Sequence, residues 1–276
     1  MYLAKITFGD CRDSQIDGTK SNIAEDYLAA LLHNGQIYGD YLFAPCNGTL
    51  VAYTHIARLS VLAKRYHSQW GLSSLQEVVE QFGQLPQCEI IQDNVPSRFS
   101  SWRKSSFLYL FTHAFDDASP VCCGDSGSPI PLYLLPISDQ TREDLYFWAG
   151  HYKDHDNIWL ASGALEIPAY KQTADPRSEL SAAGRELCQA IEAATGTRTF
   201  YYLQRYWGRK ASEQNRLCPM CGRRWRTSEK ESEHHSFWNF SFRCVRCRLV
   251  SHCADSYDDE RHAAIGEYRQ PLPVQT

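Results

Sequence analysis

Four cysteines near the C-terminal end form two pairs that have the spacing of metal ligands. Two residues separate Cys218 from Cys221 and likewise Cys244 from Cys247, and 22 residues lie between the pairs. Two residues between thiols let a tight turn point both sulfurs at one ion, and two such turns complete a tetrahedral thiolate site. The spacing therefore predicts a zinc ribbon in which these four cysteines hold one zinc ion.

Four thiolates make a closed metal site with no open position for water, so we predict a structural zinc. The chain has an odd number of cysteines, 11, and its first residues lack the layout of a secretory signal. We therefore expect the cytoplasm, where thiols and metal sites are favoured over disulfides. Two disulfides, unrelated free thiols, ferrous iron and an iron–sulfur cluster are the alternatives. Four further side chains are candidate substitute ligands: His234, His235, His252 and Cys253.

The segment around the cysteine pairs is basic and aromatic. From residue 205 to residue 248 there are 11 lysines and arginines and 4 glutamates, which gives a local charge of +7 in a chain of net charge −4. Guanidinium groups neutralise phosphates and aromatic faces stack bases in proteins that bind single strands. The segment thus predicts binding of RNA or DNA, with single strands preferred, through six residues: Arg223, Arg224, Trp225, Arg226, Arg243 and Arg246.

The aromatic residues of this segment also have a structural interpretation. Phe240 and Phe242 alternate like the inward residues of a ribbon strand, and Trp225 can pack against the metal site. Composition alone gives the two interpretations about equal weight. Phe237 and Trp238 complete the aromatic set.

Two short strings look like catalytic motifs but are better explained by local structure. Residues 123–129 resemble the nucleophile segment of chymotrypsin-like serine proteases, with Ser126 as the nucleophile, but the histidine context of that family is absent from the sequence. We predict a loop between strands there. Residues 18–21 resemble a phosphate-binding loop, yet Thr19 stands where that motif has a glycine, so we predict a helix start.

The rest of the chain must supply the framework that positions the cysteine pairs, and its pattern alternates between strands and helices. Apolar periodicity predicts strands over 2–8, 38–43, 49–56, 88–92, 107–113, 130–135 and 199–203. It predicts helices over 21–32, 73–82, 142–152 and 178–194. Ser21 or Asn22 is expected to cap the first helix. Asn47-Gly48 tolerates the positive φ angles of a tight turn and predicts a hairpin.

These elements predict an α+β fold, a mixed α/β N-terminal body followed by a small C-terminal zinc ribbon. We place the body at residues 1–207, the zinc-ribbon module at 208–255 and an acidic to Pro-containing tail at 256–276. We place the boundary between body and ribbon at the change in charge, because the rest of the chain carries a net charge of −11 outside the basic segment. No window approaches eighteen uninterrupted apolar residues, so we predict no membrane span.

Three segments together carry a resemblance to a known family: residues 216–225 around the first cysteine pair, 131–136 and 199–203. On these residues the chain resembles an uncharacterised bacterial family described as zinc-ribbon-containing and associated with nucleic-acid binding. The resemblance extends over nearly the whole chain. It implies a zinc-binding role for Cys218, Cys221, Cys244 and Cys247 alone.

Three classes of function are compatible with these residues. The first is nucleic-acid binding by the basic ribbon. The second is a protein-interaction module, such as an inhibitor or immunity-type partner of another bacterial protein, because zinc ribbons present rigid hairpins to proteins. The third is an enzyme with an unidentified site in the N-terminal body, although no group of residues has the spacing that assigns a base, a nucleophile or an open metal site.

Overall fold

The computed structural model describes residues 1–12, 18–92, 99–227 and 236–270. The chain divides into two compact units, each made of three stretches of sequence. Unit 1 consists of Met1–Lys104, Asp117–Val121 and Ser128–Tyr146. Unit 2 consists of Ser105–Asp116, Cys122–Gly127 and Phe147–Thr276. This division differs from the predicted boundary near residue 207, which rested on charge and not on contacts.

Unit 1 contains a four-stranded antiparallel sheet with two helices. In chain order its elements are β1 (Tyr2–Asp10), α1 (Thr19–His33), β2 (Ile37–Cys46), β3 (Thr49–Ile56), α2 (Gln69–Phe82) and β4 (Gln87–Gln92). The strand order is β2-β3-β1-β4. This is the split βαβ arrangement called ferredoxin-like, in which each helix carries the chain across the sheet.

The core of unit 1 follows from the strand and helix periods. Every second residue of β1 is fully buried from Ala4 to Phe8, and α1 buries positions spaced three and four apart. These residues form one hydrophobic cluster: Ala4, Ile6 and Phe8 of β1, Tyr27, Leu28 and Leu31 of α1, and Leu75 and Val78 of α2.

Sequence patterns predicted the elements of unit 1 better than their ends. The hairpin is confirmed, with Asn47 at φ 52° and Gly48 at φ 80°. The predicted cap of α1 is wrong, because the helix begins at Thr19 after Gly18, two residues before Ser21. Helix α2 begins earlier than predicted, where the Ser68 side chain accepts a hydrogen bond from the Gly71 amide.

The remaining elements build a five-stranded mixed sheet and three helices. They are β5 (Leu108–Leu110), β6 (Val121–Cys123), α3 (Asp139–Ala161), α4 (Glu166–Ala174), α5 (Glu179–Thr195), β7 (Thr199–Tyr202), β8 (Phe242–Cys244) and β9 (Leu249–Ser251). The strand order is β6-β5-β7-β9-β8. Strands β5, β7 and β9 are parallel to one another, and β8 is antiparallel to β9.

Several predicted elements in this part of the chain need correction. The strand over 130–135 is wrong: Pro131 cannot donate to a ladder, and the Leu134 amide bonds back to the Pro131 carbonyl in a 3₁₀ turn. The strand over 107–113 is reduced to β5, and the helix over 142–152 is part of the longer α3. Strand β6 and helix α4 were not predicted. The loop predicted over 123–129 is confirmed as the turn that follows β6.

Helix α5 and strand β7 match their predictions closely. Ser178 caps α5, and Gly196 ends it at φ 70°. The described part of the predicted tail packs against other residues, since Ala263 is fully buried and its carbonyl accepts a hydrogen bond from Arg205. Within the described ranges, no helix is long and apolar enough to cross a bilayer. The predicted α+β class is confirmed.

Candidate metal centre

The four predicted ligands come together at one point. The sulfurs of Cys218, Cys221, Cys244 and Cys247 all lie within 4.8 Å of one another. Cys221 Sγ and Cys244 Sγ are 3.7 Å apart, close to the separation of about 3.8 Å that bonds of about 2.3 Å impose in a tetrahedral zinc–thiolate site. All four are free thiols, so the disulfide alternative does not hold in this structure. We call this cluster the four-cysteine centre, and it can hold a metal ion.

The first cysteine pair lies on a tight turn, residues 218–222, which we call the first knuckle. The Gly222 amide donates to the Cys218 carbonyl at 2.9 Å, and the Cys218 amide donates to the Arg223 carbonyl at 2.9 Å. Gly222 has φ 68°, and a Cβ there would lie 2.7 Å from the Tyr268 ring. The glycine is therefore required both by the backbone conformation and by the neighbouring ring.

The second pair lies on the second knuckle, residues 244–248, which ends on an arginine. The Cys247 amide donates to Cys244 Sγ at 3.4 Å. Arg248 follows with φ 53°, a conformation that non-glycine residues rarely adopt. Its guanidinium makes two hydrogen bonds to Glu192 of α5, at 2.8 and 2.6 Å. This bidentate pair fixes the second knuckle to a helix.

Strand pairing holds the two knuckles in place. Cys244 ends β8 and lies opposite Leu249 of β9, and β9 in turn pairs with β7 through Tyr201 and Leu249. The four-cysteine centre is thus at the edge of the larger sheet. The strands of the predicted ribbon continue a sheet that begins in the predicted body.

The thiols of the four-cysteine centre have pKa values that are shifted in both directions. Burial raises the pKa of the Cys218 thiol, and burial is also the main cause that raises the pKa of Cys247 to about 12. At Cys221 burial acts in the same direction, but hydrogen bonds from the Arg223 backbone and the neighbouring thiols outweigh it and lower the pKa to about 7. Without a nearby positive charge the Cys218 and Cys247 thiols stay protonated at neutral pH. A bound dication would supply the charge that makes them thiolates, and four soft sulfur donors are ligands of the type that zinc prefers.

The candidate substitute ligands lie elsewhere or outside the described residues. The metal-ligand group found among the described residues contains neither His252 nor Cys253. The His252 ring packs against Phe240 with centroids 5.3 Å apart, and burial lowers its pKa. Cys253 accepts a hydrogen bond from Arg226 at 3.2 Å. His234 and His235 fall in the range 228–235, which the structure does not describe.

Trp225 is part of the core of the ribbon. Its side chain is 3% exposed, its ring lies 5.2 Å from Phe242, and its indole nitrogen donates to the Arg216 carbonyl at 2.9 Å. A side chain so buried offers no face on which a base can stack. The base-stacking role predicted for Trp225 does not fit this position, whereas its structural interpretation does.

The five predicted arginines differ in their surroundings. Arg223 and Arg224 follow the first knuckle and are exposed, and Arg246 is exposed within the second. Arg226 is exposed too but contacts Cys253 and lies over the Phe242 ring at 5.3 Å. Arg243 is half-buried, with its guanidinium 4.5 Å from the centre of the Phe107 ring. Three guanidinium groups are therefore well placed for solvent, and two are partly engaged by neighbours.

Ion pairs neutralise much of the basic segment. Glu213 pairs with both Arg205 and Arg216, and all three side chains are almost fully buried. Burial, followed by the Arg205 charge, lowers the pKa of Arg216 to about 10. Arg209 and Arg248 pair with Glu267 and Glu192. The local charge of +7 therefore overstates the positive surface, because two of these glutamates lie outside the segment and a charge count along the sequence cannot include them.

Two further aromatic residues support the sheet. The Phe237 ring stacks on Phe111 with centroids 4.6 Å apart and is 39% exposed. The Trp238 ring covers Gly127, where a Cβ would lie 2.0 Å from a ring carbon. The loop over 123–129 that looked like a protease segment holds Asp125, which accepts a hydrogen bond from the Ser106 amide at 2.7 Å. A structural contact explains that aspartate.

Fold and site together define a two-unit α+β protein with a candidate metal centre at the edge of the second sheet. Three family models match the chain, each described as a domain of unknown function: DUF8589 over residues 1–92, DUF2310 over 102–204 and DUF8594 over 208–257. The last begins at residue 208, the predicted start of the zinc-ribbon module. No solved structure gives a significant match to the chain.

Two uncharacterised proteins of Haemophilus influenzae are similar to this chain. Each is 36% identical over 144 residues, which is 51% of this chain. The match extends over 68% of the first relative and 53% of the second. The chain belongs to the family of these uncharacterised Haemophilus proteins.

Proposed function

We propose that this protein is a zinc-ribbon protein that binds nucleic acid through exposed arginines around the four-cysteine centre. One observation carries the proposal: both knuckles bear guanidinium groups that face solvent, Arg223 and Arg224 beside the first and Arg246 within the second. Guanidinium groups held on a rigid turn contact phosphate oxygens at a fixed spacing.

The metal in this proposal is a single structural zinc ion. Four thiolates would close the coordination sphere of a tetrahedral ion, so the ion would organise the two knuckles and activate no water. The cysteines would hold the ion, and the arginines between and beside them would make the contacts. We propose the cytoplasm as the location, since a reducing compartment keeps the thiols available.

Phosphate contacts would supply most of the affinity in this proposal. Trp225 drops out of the predicted contact set because it is buried. The preference for single strands then depends on Phe237, the remaining aromatic side chain of this segment with a substantial exposed fraction among the residues described. A single exposed ring supports stacking of one base, and we therefore expect little sequence selectivity.

The test is a salt titration of binding to a labelled single-stranded RNA and a labelled single-stranded DNA, followed by fluorescence anisotropy. The triple variant Arg223→Gln, Arg224→Gln, Arg246→Gln should flatten the log–log salt slope by about 2, because each lost phosphate contact on a single strand removes about 0.7. Its zinc content should equal that of the unmodified protein, which separates lost contacts from lost folding.

The matched control removes the same charge from exposed residues of unit 1, with Lys64→Gln, Arg65→Gln and Lys104→Gln. It should leave the salt slope unchanged. Absent binding at low salt, or equal losses in the two triple variants, would refute the proposal.

A protein partner is the second candidate function, and a separate observation favours it. Leu217, next to the first knuckle, and Val245, within the second, are exposed apolar side chains. Apolar side chains on a rigid turn are typical of protein-contact surfaces. If this candidate is correct, one protein should copurify in stoichiometric amount and be lost from Leu217→Ser, Val245→Ser, while the arginine variant retains it.

A further inference from the structure

The segment of unit 1 between β3 and α2 brings two arginines to one tyrosine hydroxyl. The Arg65 guanidinium donates a hydrogen bond to the Tyr66 hydroxyl at 3.2 Å and lies over the Tyr66 ring, 4.8 Å from its centre. This hydrogen bond is the main cause that lowers the pKa of Tyr66, and the positive charges of Arg65 and Arg58 act in the same direction. Two guanidinium groups therefore lie close to one phenol oxygen.

Tyr66 is held in position through its backbone and through its ring. Its amide donates to the Ala63 carbonyl at 2.9 Å, and its carbonyl accepts a hydrogen bond from the buried Asn34 side chain at 2.7 Å. Its ring packs edge-on against Tyr133, with centroids 5.1 Å apart, and Tyr133 belongs to the hydrophobic core cluster of unit 1. The fold thus places the Tyr66 hydroxyl, and the two arginines have a fixed point between them.

The two arginines have no anionic partner in the part of unit 1 that the structure describes. The ion pairs found among those residues include neither Arg58 nor Arg65. Both side chains are exposed, so a ligand can reach them from solvent. Like charges that lie close together repel each other, and a bound anion replaces this repulsion with attraction. The planar guanidinium group matches the spacing of phosphate oxygens.

We propose that Arg58, Arg65 and the Tyr66 hydroxyl bind a compact phosphate dianion, a terminal phosphate group that is free or esterified once. The guanidinium groups donate to its oxygens, and the Tyr66 hydroxyl, which already accepts from Arg65, donates its own proton to the ligand. The Tyr133 hydroxyl is buried and makes no contact with the ligand in this proposal. A phosphodiester has one charge and no terminal phosphate group, so we expect it to bind more weakly.

Isothermal titration calorimetry at pH 8 tests the proposal with methyl phosphate, which is a dianion there because the second pKa of a phosphate monoester is about 6. We expect a dissociation constant below about 5 mM. Dimethyl phosphate, the diester probe, should bind at least about tenfold more weakly. Inorganic phosphate distinguishes the two sources of the group: equal affinity indicates the free ion, and lower affinity indicates an ester. Absent binding of methyl phosphate, or equal binding of dimethyl phosphate, would overturn the proposal.

Substitutions then locate the site. Arg58→Gln and Arg65→Gln should each weaken methyl phosphate binding by about threefold to tenfold, since each removes a solvated charge pair. Tyr66→Phe removes one hydroxyl and keeps the ring against Tyr133, so we expect a loss of about threefold without a change of folding. Arg12→Gln is the matched control, because Arg12 is an exposed arginine of unit 1 that pairs with Asp10. Unchanged affinity in the Arg58→Gln, Arg65→Gln double variant, with β1 and β3 still protected from hydrogen exchange, would refute the site.

This inference does not depend on nucleic-acid binding. The triple arginine variant of the ribbon should keep its full affinity for methyl phosphate, and Arg58→Gln should keep the full affinity for single-stranded RNA. The variant Lys64→Gln, Arg65→Gln, Lys104→Gln should bind methyl phosphate more weakly and still keep the salt slope for RNA, because the backbone of RNA is a diester. Each proposal therefore fails or stands by its own measurement.

Discussion

The two units reach stability by different routes. Strands β1, β2 and β3 of unit 1 have 9, 10 and 8 residues, whereas strands β7, β8 and β9 of unit 2 have 4, 3 and 3. Long paired strands with an alternating apolar face can bury enough surface to fold on hydrophobic packing alone. Strands of three residues cannot bury enough surface in this way. Other interactions must therefore keep them in the sheet.

Unit 2 has three such interactions. Aromatic side chains cluster on its sheet, including Tyr109, Tyr202 and Phe240. Buried ion pairs join separate segments, and the four-cysteine centre joins β8 to the first knuckle. A metal ion at the four-cysteine centre should therefore matter to the stability of unit 2 and not to that of unit 1.

Loss of the metal site should have the largest effect. We expect Cys218→Ser to remove hydrogen-exchange protection from β7, β8 and β9 and to leave β1 and β3 protected. Structural zinc contributes on the order of 10 kcal/mol in zinc-finger peptides, which is comparable to the whole stability of a domain. Hydrogen exchange read by mass spectrometry, with elemental analysis for zinc, measures both effects.

Cys46→Ser is the matched control for this experiment, because Cys46 is an exposed free thiol of unit 1. It should change neither the protection pattern nor the zinc content. Equal loss of protection in both units after Cys218→Ser would show that they unfold together, and the contrast would then be wrong.

The next largest effect is expected at the buried glutamate of unit 2. Glu213→Gln removes the carboxylate that pairs with the buried guanidinium groups of Arg205 and Arg216. We expect this change to lower the free energy of unfolding by about 3–5 kcal/mol. Glu186→Gln, on the exposed face of α5, should cost less than about 0.5 kcal/mol. Urea denaturation compares the two, and similar values would contradict the role assigned to the pair network.

Glycine substitutions should have a smaller effect that depends on the site. Gly196 and Gly222 have nearly the same φ, 70° and 68°, but a Cβ at Gly196 meets open space while one at Gly222 meets Tyr268. We expect Gly196→Ala to cost about 1 kcal/mol from backbone strain alone. Gly222→Ala should cost about 1–3 kcal/mol more, because the ring must move.

The affinity for zinc provides a second measurement on the two glycine variants. Gly222→Ala should lower the affinity of the first knuckle for the metal, measured by competition with a chromogenic chelator, and Gly196→Ala should not. If both variants lose equal stability and keep equal zinc affinity, the contact with Tyr268 has no energetic role.

The smallest expected effect is a pH dependence of unit 1. Burial lowers the pKa of His67, whose Nε2 lies 2.8 Å from the Tyr27 hydroxyl. The unfolded histidine, with a pKa of about 6.5, then binds protons more tightly than the folded one. Unit 1 should therefore lose stability, by less than about 1 kcal/mol, as the pH falls from about 6.5 toward the lower folded pKa.

His67→Gln should flatten this dependence, read from hydrogen exchange in β1 and β3 at two pH values after correction for intrinsic rates. His55→Gln is the comparison variant, since His55 lies on β3 and is only partly buried. If the stability of unit 1 changes with pH by the same amount in both variants, groups other than His67 cause the pH dependence.

Local patterns predicted the elements of unit 1 because the signal for each element lies within a short stretch of sequence. The Asn47-Gly48 turn, the α1 stripe and the β1 alternation each lie within one short window, and each is confirmed. The four-cysteine centre was also predictable, because each cysteine pair fits within four residues. The helix caps were less predictable. Helix α1 begins without a side-chain cap, and α2 is capped by Ser68, which lies outside the predicted helix range 73–82.

What sequence patterns missed in unit 2 depends on distant partners. Strand β6 has three residues and becomes a strand only through pairing, and the pairing of β7 with β9 joins the predicted body to the predicted ribbon. The burial of Trp225 and the neutralisation of Arg209 by Glu267 likewise need three-dimensional neighbours. Charge along a sequence describes composition, and only the fold decides which charges reach the surface.

The parallel pairing of β7 with both β5 and β9 has a consequence for biosynthesis. The strands β1 to β4 are complete once residue 92 has been made, whereas β7 has no second neighbour until the chain passes residue 251. Because N-terminal parts of a chain fold first during translation, we expect the first sheet to be assembled while the second is still open. The four thiols would then come together late in synthesis, and if the proposed zinc site is correct, the zinc supply of the cell would affect how many newly made chains mature.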